Sequence, residues 1–185
     1  MPRKVKTNLI APAKLAHYVL RVTSMADSIA WYQTVLGMQV VHRDEFICFL
    51  TYDEEHHRLA MVQVPSDSLI DQHTRLRLPG LDHVAYTLLS LEDLLATYKR
   101  LKAADILPVW SVNHGLTTSL YFADPDGHRV EFQVENLSTK RGLQDYMQSE
   151  AFAKNPVGID FDPEALLRRF EAGDAIEELL RPGAA

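Results

Sequence analysis

Two histidines in this 185-residue sequence, His17 and His83, stand 66 positions apart in matching surroundings. Leu15-Ala-His-Tyr-Val-Leu-Arg-Val-Thr-Ser24 aligns with Leu81-Asp-His-Val-Ala-Tyr-Thr-Leu-Leu-Ser90, and the register continues into Trp31-Tyr32 against Thr97-Tyr98. A carboxylate, Glu131, falls in the middle of a strand-like run between the apolar Val130 and Phe132. A charge in such a place is costly unless it is paired or coordinated. Two imidazoles and one carboxylate, with coordination positions left open, suit the oxygen chemistry of non-haem Fe(II), and Mn(II) accepts the same donor atoms. One strand histidine alone is more often a hydrogen-bonded core residue. The repeat-equivalent pair together with Glu131 is what points to a metal.

The elements that must position these residues also occur twice. Around each histidine, β-branched and aromatic residues alternate as in a strand. Ser24 and Ser90 then suit helix N-caps. After Ser24, Ile29, Tyr32, Val35 and Leu36 recur at helical spacing, and after Ser90, Leu94, Leu95, Tyr98 and Leu101 do so. Gly37 suits the end of the first helix. Short strands follow: about 39–43, 46–52 and 58–64 in the first half, and about 109–112, 117–122 and 129–135 in the second. Asp124-Pro-Asp-Gly127 supplies the last tight turn. The expected fold is α+β: two βαβββ modules, 12–64 and 80–136, forming a cupped mixed β-sheet and joined by a polar linker over 65–79. Alternation along 129–135 turns Val130, Phe132 and Val134 towards the helices and Glu131 and Gln133 the other way. Thr117, Ser119 and Tyr121 share a face by the same rule.

The repeat ends near Asn136, and 137–185 reads as a C-terminal helical extension of loop and helices. Asp162-Pro163 marks a helix start, followed by Leu166, Leu167 and Phe170 at helical spacing. The last five residues are expected to be loose. A net charge of −6 offers no basic footprint, which argues against nucleic acid as the main partner. There is no apolar run of membrane-spanning length, and the basic Met1–Lys6 start has no secretory apolar stretch behind it. The single cysteine, Cys48, lies in an apolar run and reads as a buried thiol in a reducing cytoplasm. His42, His73 and His128 fall in turns or near strand ends and read as surface residues.

His17, His83, Glu131 and the segment Tyr121-Phe-Ala-Asp-Pro-Asp-Gly-His-Arg-Val-Glu131 resemble the metal-binding signature of the vicinal oxygen chelate superfamily. That superfamily takes in glyoxalase I, bleomycin-resistance proteins and type I extradiol dioxygenases, and the resemblance covers about residues 12 to 136. It implies that the three residues are the metal ligands. Within the superfamily, Asp124-Pro-Asp-Gly-His-Arg-Val-Glu131 aligns with Asp53-Glu-Glu-His-His-Arg-Leu-Ala60, so alanine stands where an isomerase-type site usually has a fourth ligand. Three protein ligands leave room for a bidentate catecholate and O2.

His56-His57-Arg-Leu-Ala60 resembles the His-His-x-Leu-Ala segment of extradiol dioxygenases, which implies that His57 is the active-site acid–base residue. Tyr121, ten residues before Glu131, matches the family's substrate-binding tyrosine, and His114 resembles its further active-site histidine at a shorter spacing. Turn histidines and strand tyrosines are also common without function. Trp31 and Trp110 read as core or rim residues. The implied protein is an oxidoreductase of aromatic catabolism, a cytoplasmic homodimer acting on a small aromatic diol and O2. It is most like the short single-domain extradiol dioxygenases, among them those related to biphenyl-2,3-diol cleavage. The alternatives are a metal-dependent glyoxalase-like isomerase or lyase, and a ligand-sequestering protein of bleomycin-resistance type.

Overall fold

A computed structural model of the chain describes residues 11–68, 70–75 and 77–185. The basic N-terminal residues and His73's side chain lie outside what is described. The chain forms two compact units, Met1–Ser68 and Leu69–Ala185.

In the first unit, β1 (Tyr18–Val22) leads into α1 (Met25–Leu36), followed by β2 (Gln39–Arg43), β3 (Ile47–Thr51) and β4 (Leu59–Gln63). The Ser24 hydroxyl accepts from the Asp27 N–H to cap α1, and Gly37 ends the helix at φ 66°. That left-handed value is one a β-carbon resists, which is why glycine stands there. The sheet order is β1-β4-β3-β2, with β1 parallel to β4 and the other neighbours antiparallel. Val22, Tyr32, Leu50, Leu59 and Met61 fill the core. Cys48 is buried among them as a free thiol, and burial pushes its pKa up, so it behaves as an apolar filler. His17 is the residue just before β1 rather than a member of it. The ladder starts one step later, where the Tyr18 N–H donates to the Arg58 carbonyl at 3.1 Å.

The second unit repeats this plan. After a short helix α2 (Gln72–Arg75), β5 (His83–Thr87), α3 (Leu91–Lys102), β6 (Trp110–Asn113), β7 (Thr117–Ala123) and β8 (Arg129–Glu135) follow. The segment expected to be a plain linker therefore carries α2 and a single helical turn at Ser66–Ser68. Ser90 caps α3 by accepting from the Asp93 N–H at 3.1 Å. The sheet order is β5-β8-β7-β6-β9, again with the first strand parallel to the last strand of the repeat. Leu94, Leu95 and Leu101 of α3 are buried, as are Val130, Phe132 and Val134 of β8, as the alternation requires. In the turn before β8, Asp124 Oδ1 accepts from the N–H groups of Asp126 and His128 at 3.0 and 2.8 Å. Asp124 Oδ2 also holds His128 Nδ1 at 3.0 Å, so His128 is a half-buried turn residue and not a solvated one.

The extension adds α4 (Lys140–Met147), α5 (Glu150–Lys154), β9 (Ile159–Asp160), α6 (Pro163–Glu171) and α7 (Ile176–Leu179). Its contribution of a strand, β9 against β6, differs from the expected loop and helices. Two residues are too few to leave a periodic signal in the sequence. Asp162 caps α6, with Pro163 in its first turn. Glu164 of α6 accepts from the Tyr98 hydroxyl of α3 at 2.9 Å and pairs with Lys102. The last residues are held rather than loose: the Arg169 guanidinium donates to the Ala184 carbonyl, and Asn113 Nδ2 donates to the Leu180 carbonyl at 2.9 Å. Among the described residues no helix is long and apolar enough to cross a membrane.

Candidate active site

One face of the second unit's sheet gathers the chemistry. In the ladders Trp110 stands opposite Tyr121, Tyr121 opposite Glu131, and Glu131 opposite Ala85. Cross-strand partners share a face and so do residues two apart on a strand, which adds His83 to the row. Glu131 is only 4% exposed, and its Oε2 lies 3.0 Å from His83 Nε2. The other imidazole nitrogen, Nδ1, lies 2.7 Å from Asp82 Oδ1. Each imidazole nitrogen thus faces a carboxylate oxygen, and with an ion beside Glu131 the hydrogen would sit on Nδ1 towards Asp82, leaving the Nε2 lone pair for the metal. Asp82 is itself held by the Arg129 guanidinium. The hydrogen bond from His83, and then Arg129, keep the Asp82 carboxyl below the usual range.

Tyr121 is buried, and its ring meets that of His83 edge-on with centroids 5.1 Å apart. Burial, followed by the nearby Glu131 charge, pushes the Tyr121 hydroxyl far above its ordinary pKa, so it keeps its proton at neutral pH. The hydroxyl lies 3.1 Å from His114 Nε2. Trp110 stacks on the Tyr121 ring at 4.7 Å, and Arg129 sits 5.5 Å from the ring centre. The structure thus brings His83, Glu131, Tyr121 and His114 together in one unit.

The first unit holds His17 and His57. Their ring centroids are 4.3 Å apart, and His57 also stacks on Phe49 at 4.6 Å. His56 turns outward, 69% exposed, with its Nδ1 2.6 Å from His57 Nδ1. Partial desolvation, and then the charges of His17 and His56, lower the His57 pKa, so it is neutral at pH 7. Phe49 stands opposite Ala60 in this ladder as Tyr121 stands opposite Glu131 in the other. The alignment of Ala60 with Glu131 is therefore a structural equivalence, and the first unit presents a methyl group where the second presents a carboxylate.

His83 and Glu131 fit a divalent ion as adjacent donors. Their 3.0 Å separation leaves the two donor atoms close enough that they would both reach one ion. Asp82 completes the usual arrangement in which a ligating imidazole donates its second N–H to a carboxylate. Among the described residues no group of three His, Cys, Asp or Glu side chains is gathered to hold an ion. Asp82 and Arg129 escaped the sequence reading, although Asp82 directly precedes the candidate ligand. Asp82→Asn is expected to weaken metal binding by about ten- to a hundredfold while the fold persists. Metal titration followed by calorimetry checks this, and unchanged affinity would remove Asp82 from the site.

Residues 14–132 match the Glyoxalase/Bleomycin resistance protein/Dioxygenase superfamily, and the chain belongs to that family. Two similar proteins come from Rhodococcus globerulus. Biphenyl-2,3-diol 1,2-dioxygenase 2 is 39% identical over 171 residues, covering 92% of this chain and 88% of that one. Biphenyl-2,3-diol 1,2-dioxygenase 3 is 41% identical over 166 residues, covering 90% and 86%. Among solved structures, a glyoxalase/dioxygenase from Nostoc punctiforme shares the fold with a TM-score of 0.58 at 19% identity, covering 71% of this chain and 99% of that one.

Proposed function

We propose that this protein is an extradiol dioxygenase that opens a catechol-type aromatic diol with O2, using Fe(II) held by His17, His83 and Glu131. The observation that carries this reading is the buried Glu131 carboxylate facing His83 Nε2, in one row with Tyr121 and within a step of His114. Similarity to two biphenyl-2,3-diol dioxygenases over about nine-tenths of the chain supports it. Ala60 supports it further over an isomerase, since a methyl group cannot add a fourth ligand from that position.

Bound iron would supply Lewis acidity towards both diol oxygens and a path for electrons from the ring to O2. The side chains would handle protons and orientation. Tyr121, kept protonated by burial and by Glu131, hydrogen-bonds a substrate oxygen and shares its one hydroxyl hydrogen between that oxygen and His114 Nε2. His114 Nε2, 3.1 Å away, exchanges a proton with that hydroxyl. His57 is neutral at pH 7, so its ring offers one N–H and one lone pair for giving or taking a proton. Trp110 walls the Tyr121 side with an apolar surface that limits water. We expect the active form to be a homo-oligomer in the cytoplasm.

The test is oxygen uptake by Fe(II)-loaded protein with catechol, 3-methylcatechol and 2,3-dihydroxybiphenyl. The expected result is a yellow ring-opened product, with O2 and diol consumed in equal amounts. Absence of uptake with all of these diols would contradict the proposal.

A further inference from the structure

The extension runs its backbone directly across the His114 turn. Gly158 adopts φ +105°, and a β-carbon there would lie 2.3 Å from the Asn113 carbonyl oxygen and 2.7 Å from His114 Cα. Gly115 is approached from another side: a β-carbon on it would lie 1.9 Å from the Tyr146 hydroxyl of α4. At Gly158 the clash is with backbone, so no side chain could stand there without displacing the extension, whereas at Gly115 it is with the tip of the Tyr146 side chain. Asn155 shapes the crossing strand, donating to the Gly158 carbonyl at 2.6 Å and accepting from the Gly158 N–H at 3.0 Å.

Two specific bonds result. The Val157 carbonyl accepts from His114 Nδ1, and Asp160 Oδ1 accepts from Trp110 Nε1 at 2.8 Å. A carbonyl oxygen has no proton to give, so it fixes the hydrogen on Nδ1. Nε2, the nitrogen facing the Tyr121 hydroxyl, is left as the one position where His114 exchanges a proton. Trp110, tied to Asp160, stacks on Tyr121 and meets His114 edge-on at 5.7 Å.

We propose that residues 155–160 of the extension are a positioning element for the ring-cleaving site, fixing the tautomer of His114 and the place of Trp110 against Tyr121. This rests on the dioxygenase reading for its reaction, while the tautomer claim stands without it. Val157, Gly158 and Asp160 act through His114 and Trp110 and are positioning residues.

The test compares wild type with Gly158→Ala, Asp160→Ala and Asp160→Asn. Imidazole nitrogen NMR of the metal-free protein is expected to show His114 as the Nδ1–H tautomer in wild type and to lose that signature in Gly158→Ala. Asp160→Ala is expected to keep its iron and its KM for catechol while kcat falls about tenfold or more. Asp160→Asn, which retains an acceptor oxygen for Trp110, is expected to restore most of kcat. A general loss of folding would not produce that split or that rescue. An Nε2–H tautomer in wild type, or Asp160→Ala turning over like wild type, would overturn the proposal. Should wild type consume no O2 with any diol, the dioxygenase reading fails, and the His114 tautomer in wild type and Gly158→Ala still decides the positioning claim. If Gly158→Ala does not fold, the wild-type tautomer and the Asp160 pair decide it.

Discussion

Replacing Glu131 by glutamine is expected to abolish the proposed Fe(II) binding while leaving the fold in place. Glutamine has nearly the same volume, so the buried site opposite Tyr121 and Ala85 stays filled and no cavity forms. What disappears is the negative charge that faces His83 Nε2 at 3.0 Å. A neutral amide is a poor ligand for a divalent ion, and a lost ligand costs more than a lost supporting group, so Fe(II) affinity should fall by more than about a hundredfold. Tyr121 responds too. Burial, the larger cause of its raised pKa, persists, but the Glu131 charge is gone, so its hydroxyl pKa falls part of the way back. Anaerobic Fe(II) titration, with circular dichroism as the check on folding, measures the effect. A folded Glu131→Gln protein that binds iron as wild type does would exclude this carboxylate as a ligand.

His57→Phe is expected to do the reverse, keeping the iron and losing the turnover. Phenylalanine preserves the ring stacked on Phe49 and set against His17, so the surroundings of His17 are maintained. It removes both ring nitrogens, and loss of a positioned acid–base group lowers kcat by about a hundredfold or more. The pH dependence carries a sign. The His57 pKa is depressed, chiefly by desolvation, so the active neutral ring is present at pH 7. Acidification through that depressed pKa protonates the ring and removes the lone pair. Wild-type kcat should therefore fall on the acid side with a midpoint below the ordinary imidazole range, and the residual activity of His57→Phe should lack that limb. Full activity in the variant would remove His57 from the reaction.

Much of the architecture was legible because the repeat writes it twice. Serine caps at Ser24 and Ser90, strict alternation in Arg129–Glu135 and the alignment of Ala60 with Glu131 are local signals, and local signals survive in sequence. Alternation set the faces of Tyr121 and of Glu131 separately, and only the β7–β8 ladder puts the two opposite one another. What stayed hidden depends on contacts made far along the chain. Strand β9 is two residues long, and its pairing with β6 is set by Gly158 and Asp160, which carry no pattern of their own. The chain end reads as loose from composition, yet Arg169 and Asn113 hold it by backbone carbonyls, which every residue possesses. Asp82 sat beside His83 in plain view. An aspartate before a strand is usually a turn residue, and only the geometry shows it gripping the imidazole.

The proposed iron site needs two imidazoles and one carboxylate, and removing His17 tests it most directly. Metal analysis of anaerobically purified wild type beside His17→Ala provides that test. Stoichiometric iron in wild type and its loss from a folded His17→Ala protein are the expected results. A different metal in wild type, no metal after incubation with Fe(II), or full iron retention without His17 would contradict it.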